Sequence, residues 1–149
     1  MSSRSSPVWS SPVRYVECDQ QGIVFNGHYL TYADEGCTAW FATTGATYET
    51  LLARGLDMRV KTTTLTWSAP ARWGDTVEVH VDGAQVGRTS FTVPLSLRTA
   101  SGPCCEVTTT YVLVDGEGAP TAVPDDLRSA WTTPQAVPAL TTTSTATAT

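Results

Sequence analysis

A carboxylate, two glycines and a histidine lie close together near the start of the chain. Asp19, Gly22, Asn26, Gly27 and His28 all fall within the segment ECDQQGIVFNGHY at residues 17–29. The two glycines are expected to make the loop that carries the carboxylate flexible. The residues that follow have helical spacing, which places the start of a helix just beyond the carboxylate. A helix start offers unpaired N–H groups and a positive dipole end, which stabilise a carbonyl oxygen that gains negative charge. A carboxylate beside it can attack that carbonyl or activate water, so the segment has the parts needed for acyl transfer.

Each of these residues also has an ordinary interpretation. An aspartate near glycine commonly accepts a hydrogen bond from its own loop backbone, which would make Asp19 a turn residue. Asn26 can be a plain helix cap, and His28 can be a surface residue at the helix start. The two interpretations of Asn26 are compatible, because its backbone N–H would bind the carbonyl whatever the side chain does.

The helix predicted from residue 26 to residue 44 would lie at the centre of the fold. Its apolar or small residues follow the three-and-four spacing of one buried face: Tyr29, Tyr32, Ala33, Gly36, Cys37, Trp40 and Phe41. Gly45 follows where a left-handed C-terminal cap is wanted, and Asn26 can cap the start. Eighteen residues of helix span about 27 Å, enough to cross a small sheet.

Strand-like segments make up most of the remaining chain. The predicted strands are residues 8–17, 56–69, 76–81, 90–97 and 105–113. Pro12 marks the first as an edge strand, and Pro94 fits only an edge or a bulge. Residues 47–54 predict a short helix, and residues 124–131 one or two helical turns. One strand, one long helix and four further antiparallel strands predict an α+β layer in which the sheet wraps the helix.

Length, composition and charge favour a single globular domain. The chain has 149 residues, of which residues 1–131 form the predicted domain and residues 132–149 a disordered, dispensable Thr/Ala/Pro-rich tail. The net charge of −5 argues against nucleic-acid binding. No segment resembles a secretory signal or a membrane span, so we expect a cytoplasmic protein. The four cysteines form no metal-type pair and are expected to be reduced thiols, mostly buried.

The segment around Asp19 resembles a known family signature. Asp19-x-x-Gly22-Ile23-Val24-Phe25-Asn26-x-His28-Tyr29, followed by Tyr32-x-Asp34, is similar to the motif of hot-dog-fold acyl-CoA thioesterases of the 4-hydroxybenzoyl-CoA thioesterase type. The order of the predicted elements is also the hot-dog order. The resemblance implies a curved antiparallel sheet of about five strands around one long central helix. It further implies a homo-oligomer, a dimer or a dimer of dimers, in which two sheets join edge to edge with the sites at the seam.

The resemblance also assigns roles to residues. Asp19 would be the nucleophile or the general base, and the Asn26 backbone N–H would polarise the thioester carbonyl. Asn26 itself departs from the His or Tyr that the family has at this position. The positions expected to bind substrate are Gly22, Val24, Phe25, His28, Tyr29, Asp34 and Glu35. The last two are also acidic residues of a kind that a helix dipole alone favours near an N-terminus.

A second segment resembles the family's nucleotide-binding element. Gly87-Arg88-Thr89-Ser90-Phe91 is similar to a basic Arg/Lys-Ser-Phe element, so Arg88, Thr89 and Ser90 are expected to bind the coenzyme A portion of the substrate. Only Arg88 and Ser90 of the cationic and hydroxyl positions are kept, so either the nucleotide is bound weakly or the carrier is a phosphopantetheine protein. Arg59 and Lys61 could add positive charge from the long strand, although a solvated face is the default.

These features together predict a thioesterase that hydrolyses an acyl-CoA or acyl-carrier-protein thioester. No metal site and no cofactor are expected, with coenzyme A entering as part of the substrate. The alternative is a non-catalytic acyl-CoA-binding or regulatory module of the same fold. A dehydratase of this fold would need a His and Asp in a longer hydratase motif that the sequence does not have.

Overall fold

The computed structural model describes residues 6–132, and in it one long helix lies across an antiparallel sheet. The strands are β1 (Trp9–Pro12), β2 (Asp57–Trp67), β3 (Thr76–His80), β4 (Gln85–Val86), β5 (Ser90–Thr99) and β6 (Gly102–Val114). The helices are α1 (Asn26–Thr43), α2 (Tyr48–Ala53) and α3 (Asp125–Thr132), with a 3₁₀ turn at Tyr15–Glu17. The sheet has the order β1-β3-β5-β6-β2, and β4 pairs with β5. The predicted α+β class is confirmed.

Helix α1 presents the predicted face to the sheet. The seven residues of that face are all buried, and Gly45 follows the helix with a φ of 77°. The prediction that the Asn26 side chain caps the start is wrong. Phe25 is the N-cap, in an extended conformation with no side-chain cap bond, and Asn26 is the first helical residue. The predicted loop flexibility at Gly27 is also wrong, because Gly27 lies inside the helix.

The two edges of the sheet differ in length. Strand β1 has four residues and is shorter than predicted, because the chain leaves the sheet after Pro12 and turns into the 3₁₀ segment. Strand β2 has eleven residues and pairs only with β6 among the described strands, with a shift in register between Val60 and Thr62. The outer edge of β2 is therefore long and unpaired within the described part of the chain.

Pro94 lies in the middle of β5, where proline would ordinarily break a ladder. On one side it is paired with Thr108 of β6. On the other side the β3 pairing ends at Ser96 and the β4 pairing begins only at Thr92. Pro94 thus faces a gap between two short strands, where its missing N–H costs no hydrogen bond. The prediction of a local edge at this residue is confirmed.

Aromatic side chains close the core at the end of the sheet where β5 begins. Phe91 lies 4.4 Å from Trp131 and 5.2 Å from Tyr111 between ring centroids, and Phe41 meets all three rings edge-on. Trp131 is fully buried, so the predicted C-terminal helix is part of the domain body. The predicted disordered tail, apart from Thr132, lies outside the described residues. The four cysteines are free thiols, of which only Cys18 is partly exposed.

Candidate active site

Asp19 lies in a short hairpin that leads directly into α1. The Phe25 N–H donates to the Glu17 carbonyl at 2.9 Å and closes the stem of the hairpin. Cys18 and Val24 form a β-bridge above this bond, and the Asp19 N–H donates to the Ile23 carbonyl at 2.9 Å. We call residues 18–24 the Asp19 hairpin. Its tip is tight because the Gly22 N–H returns to the Asp19 carbonyl at 3.0 Å, and Gly22 has a φ of 73°.

The Asp19 side chain is exposed, and only one of its two carboxylate oxygens accepts a hydrogen bond from the described residues. Its Oδ1 accepts the Gln21 N–H at 2.8 Å, which is the backbone turn of the ordinary interpretation. Its Oδ2 has no hydrogen-bond partner among residues 6–132. The turn therefore fixes the orientation of the carboxylate and leaves one oxygen available for chemistry.

The start of α1 lies one residue beyond the hairpin stem. Phe25 is the N-cap and accepts the His28 N–H at 3.0 Å, whereas the N–H groups of Asn26 and Gly27 have no backbone acceptor within the described part of the chain. These are the unpaired donors expected of a first helical turn. Asp19, with its free carboxylate oxygen, thus follows one strand of the stem. The other strand leads directly into the free N–H groups of the helix start.

The Asp19 hairpin is fastened to the connection between β2 and β3. The Val24 N–H donates to the Ala71 carbonyl at 2.9 Å, and Ile23 forms a β-bridge with Arg72. From below, the Tyr29 hydroxyl accepts the Ala71 N–H at 3.0 Å. Burial raises the pKa of Tyr29, so its hydroxyl stays protonated. Sequence reasoning missed Ala71 and Arg72, because their contacts depend on tertiary packing.

The predicted substrate-binding residues of the hairpin and helix fall into two groups. Val24 and Tyr29 are buried with 1% of their surface exposed, so in the single chain they support the hairpin from beneath. Phe25 is 54% exposed, and its ring lies 6.0 Å from that of the partly exposed His28. Phe25 and His28 are therefore the members of the set that border the free helix start.

Asp34 and Glu35 lie farther from the N-terminus of α1 than expected. Both are exposed, but they are in the third turn, and the first turn contains no acidic residue. Their interpretation as dipole-favoured residues is wrong for this reason. Asp34 borders two adjoining cavities, of about 350 and 460 Å³, that run between α1 and β2 and share Val60 and Tyr111. Glu35 does not border either cavity.

Cys37 and Tyr111 form a hydrogen-bonded pair in the wall of the larger cavity. The Tyr111 hydroxyl donates to the Cys37 Sγ at 3.2 Å. Burial raises the pKa of the Cys37 thiol to about 12, so it remains a protonated thiol at neutral pH. The remaining wall is mixed: Phe41, Ala42, Met58 and Val60 are apolar, and the polar residues are Asp34, Thr38, Thr47, Tyr48 and Glu49.

Arg88, Thr89 and Ser90 lie at the far end of the sheet from Asp19. Arg88 is exposed and its guanidinium has no hydrogen bond or ion pair to the rest of the described chain. Ser90 pairs with Val112, whereas the β2–β6 ladder near the Asp19 hairpin ends at Cys105. Seven residues of strand separate these positions by about 24 Å. A single chain therefore does not bring the predicted coenzyme A site to the carboxylate.

Glu17 is a buried carboxylate that sequence reasoning did not assign to the site. It is the one charged residue in the described chain that is fully buried, with 2% of its surface exposed. Its Oε1 accepts the Arg14 N–H at 2.8 Å, and its Oε2 accepts the Arg14 guanidinium at 3.0 Å. Burial would raise the pKa of Glu17, but the two bonds from Arg14, the nearby Tyr32 hydroxyl and the Arg14 charge together hold the pKa below its usual value. An arginine three residues before a glutamate was the available signal, although the sequence predicted a strand over these residues.

Within residues 6–132 no cluster of three or more His, Cys, Asp or Glu side chains is arranged to hold a metal ion. None of the helices in that range is both long and apolar enough to span a bilayer.

Comparison with known proteins gives related sequences and folds. YneP of Bacillus subtilis, which bears the provisional name of acyl-CoA thioesterase, is 34% identical over 68 residues, or 46% of this chain and 49% of YneP. The chain thus spans about half of the length of that relative. The crystal structure of the hypothetical protein TT1821 from Thermus thermophilus is 27% identical, with a TM-score of 0.75 over 83% of this chain and 95% of that one.

A third comparison concerns the fold alone. The 1,4-dihydroxy-2-naphthoyl-CoA thioesterase Slr0204 from Synechocystis superposes with a TM-score of 0.72 at 17% identity, over 82% of this chain and 92% of that one. The predicted hot-dog fold is thereby confirmed. The sequence matches the Thioesterase superfamily over residues 21–106, a range that begins inside the Asp19 hairpin and includes α1 and most of the sheet. The chain therefore belongs to the thioesterase superfamily.

Proposed function

We propose that the protein hydrolyses the thioester of an acyl-CoA or of an acyl-carrier protein to the free acid and the thiol. The observation that carries this proposal is the stem of the Asp19 hairpin. One of its strands carries a carboxylate with a free oxygen, and the other leads into the free N–H groups at the start of α1. Family membership supports thioester chemistry for this chain.

In the proposed reaction the thioester carbonyl oxygen accepts a hydrogen bond from the Asn26 N–H. Negative charge that develops on this oxygen is stabilised by the helix start. The Asp19 Oδ2 then has two possible roles. It removes a proton from a water molecule that attacks the carbonyl carbon, or it attacks that carbon itself and forms an anhydride that water hydrolyses. In both routes the C–S bond breaks and the sulfur leaves with a proton as the thiol.

We further propose that two copies pair along β2. The strand is long, its outer edge is unpaired within the described chain, and it exposes Val60 (58%) and Trp67 (46%). An isologous pairing of β2 with its own copy would be antiparallel and would join the two sheets. This pairing would place the Asp57 end of one copy beside the Trp67 end of the other. The proposed assembly is a dimer or a dimer of dimers.

The pairing would also join the two halves of the predicted site. Arg88 and Asp19 lie at opposite ends of one sheet, about 24 Å apart along the strands. An antiparallel pairing reverses one sheet, so Arg88 of one copy approaches Asp19 of the other. In this arrangement Arg88, Thr89 and Ser90 would hold the nucleotide end of coenzyme A. The proposed steps use only a carboxylate, an N–H group and water, with coenzyme A present as part of the substrate.

The test is thioester hydrolysis followed with a thiol reagent on a panel of acyl-CoAs, for wild type and Asp19→Asn. Asparagine keeps the shape and the Oδ1 acceptor of the turn but cannot act as a carboxylate. We expect kcat to fall by at least ~10²-fold while substrate still binds. Asp115→Asn is the matched control, because the Asp115 Oδ1 accepts the Glu117 N–H at 2.9 Å in a turn of the same type at the far end of β6.

The outcomes separate the enzyme from its alternatives. Full activity of Asp19→Asn, or equal losses in both variants, would refute the role of Asp19. Binding of acyl-CoA by the wild type without release of thiol would indicate the non-catalytic binding module. Sedimentation at micromolar concentration tests the assembly, and an active monomer would refute the shared site.

A further inference from the structure

Glu17 has an unusual position for a carboxylate. Its side chain is 3% exposed, although isolated charged groups are very costly to bury. Both carboxylate oxygens bind Arg14, one through the backbone N–H and the other through the guanidinium, whose own side chain is 69% exposed. A protein that needed only a packed surface here would gain more from an apolar side chain. The position of the charge therefore calls for a reason beyond stability.

The backbone of Glu17 supplies that reason. Its carbonyl accepts the Phe25 N–H, which is the bond that closes the stem of the Asp19 hairpin. Asp19 lies two residues after Glu17 on one strand of the stem, and Asn26 lies one residue after Phe25 on the other. This hydrogen bond is the rung of the stem nearest to the helix start, so it helps to fix the relative position of the carboxylate and the helix start. A small rotation of Glu17 would move the two groups relative to each other.

The side chain of Glu17 prevents such a rotation. Its two bonds to Arg14 close a ring through the 3₁₀ turn, because the Glu17 N–H also returns to the Arg14 carbonyl at 2.9 Å. Below it lies the buried hydroxyl of Tyr32, whose pKa is raised by burial and by the nearby Glu17 charge. Tyr32 in turn packs against Trp9 and Tyr29, with ring centroids 5.9 and 6.2 Å away. Arg14 therefore holds the carboxylate, and the Tyr32 hydroxyl, which has no hydrogen-bond partner among residues 6–132, lies buried near it.

We propose that Glu17 is a positioning residue, whose buried, Arg14-bound carboxylate fixes the hairpin stem that sets the distance between the Asp19 carboxylate and the Asn26 N–H. The inference rests on the proposed function for its kinetic consequence but not for its structural one. Glu17 does not touch the substrate in this account. It acts through the backbone, by restricting where Asp19 and the helix start can lie.

The experiment compares wild type with Glu17→Gln, which keeps the size of the side chain but places an amide where one oxygen accepts from Arg14. We expect kcat per folded molecule to fall by about 10–100-fold with KM changed less than about twofold, because misplaced reacting groups lose rate more than binding. The Phe25 amide should exchange its hydrogen at least ~10-fold faster, while core amides such as that of Val79 stay unchanged. Glu117→Gln, an exposed glutamate in a distant turn, is the matched control and should behave as wild type.

Each other result overturns the proposal. Unchanged kcat in folded Glu17→Gln would show that the stem does not depend on the carboxylate. A fall in kcat without faster exchange at Phe25 would assign the effect to charge alone, and equal loss of protection throughout the domain would assign it to stability alone. If Glu17→Gln does not fold, Arg14→Gln carries the test with the same two readouts, since it alters an exposed side chain. A wild type without thioesterase activity would remove the proposed function, and Phe25 exchange would still decide the role of Glu17.

Discussion

Gly36 is the point of closest approach between α1 and the sheet, and replacing it with alanine tests the packing directly. A Cβ built on Gly36 would lie 2.7 Å from the Val79 Cβ and nearer still to Val79 Cγ1. Ordinary carbon contacts are about 3.5–4.0 Å. The Val79 Cβ is attached to the backbone of β3 and cannot rotate away. The helix and the strand must therefore separate by about 1 Å to admit the methyl group.

The expected magnitude is the difference between two opposing effects. Overpacking a core costs about 1–3 kcal/mol. Alanine is favoured over glycine in a helix by about 1 kcal/mol. Because a whole helix must move, we expect the upper part of the first range and a net loss of about 1–2 kcal/mol. For a domain of this size that loss corresponds to a Tm lower by about 2–8 °C.

Thermal unfolding at one fixed protein concentration measures the effect, since assembly makes Tm depend on concentration. Gly27→Ala is the matched control in the same helix. Its new Cβ would meet only the exposed Phe25 ring, at 3.2 Å, and that ring can move aside. We expect Gly27→Ala to leave Tm unchanged or to raise it. A Tm for Gly36→Ala at or above that of wild type would refute the close helix–sheet contact.

Three further predictions follow from charge and burial. Arg88→Ala should raise KM for acyl-CoA with little change in kcat, because it removes binding common to the ground and transition states. An equal rise in KM for acyl-pantetheine, which lacks the nucleotide, would disprove the nucleotide contact. The lowered pKa of Glu17 stabilises the fold above the ordinary glutamate value of about 4.3, and this contribution is lost as pH falls through the lowered pKa. The Tm of wild type should therefore fall more steeply between about pH 5 and 3 than that of Glu17→Gln, and parallel curves would contradict this. Iodoacetamide at pH 8 should modify Cys18 alone in the native protein, because burial raises the pKa of the three other thiols to about 11 or 12; mass spectrometry showing a second adduct would oppose the buried assignment.

Local patterns were sufficient to predict the helices and the long strands of this fold, but not β4 or the 3₁₀ turn at Tyr15–Glu17. The spacing from Tyr29 to Phe41 identified the buried face of α1 residue by residue, because each helical turn repeats the same geometry. The alternation of valines in β3 and of Phe91 to Leu97 in β5 likewise predicted the buried sides of strands. Pro94 predicted a local edge, since proline lacks the N–H that an inner ladder requires.

The parts that sequence did not predict depend on contacts between distant segments or on fine backbone geometry. The cap of α1 moved from Asn26 to Phe25 because the hairpin bond to Glu17 fixes Phe25 in an extended conformation. The burial of Glu17 follows from the closeness of Tyr32, fifteen residues away, which no local pattern reports. The docking of the Asp19 hairpin on Ala71 has the same origin.

The unequal edges of the sheet limit how far copies of this chain can add to one another. β1 offers only four residues, and its sequence ends in Ser-Ser-Pro, so a neighbouring strand would find few donors there. β2 offers eleven residues on the opposite side. If two copies pair along β2 as proposed, the sheet is extended once, because among the described strands only the short β1 edge is then left at each end. Further addition of copies through this sheet would be blocked by β1.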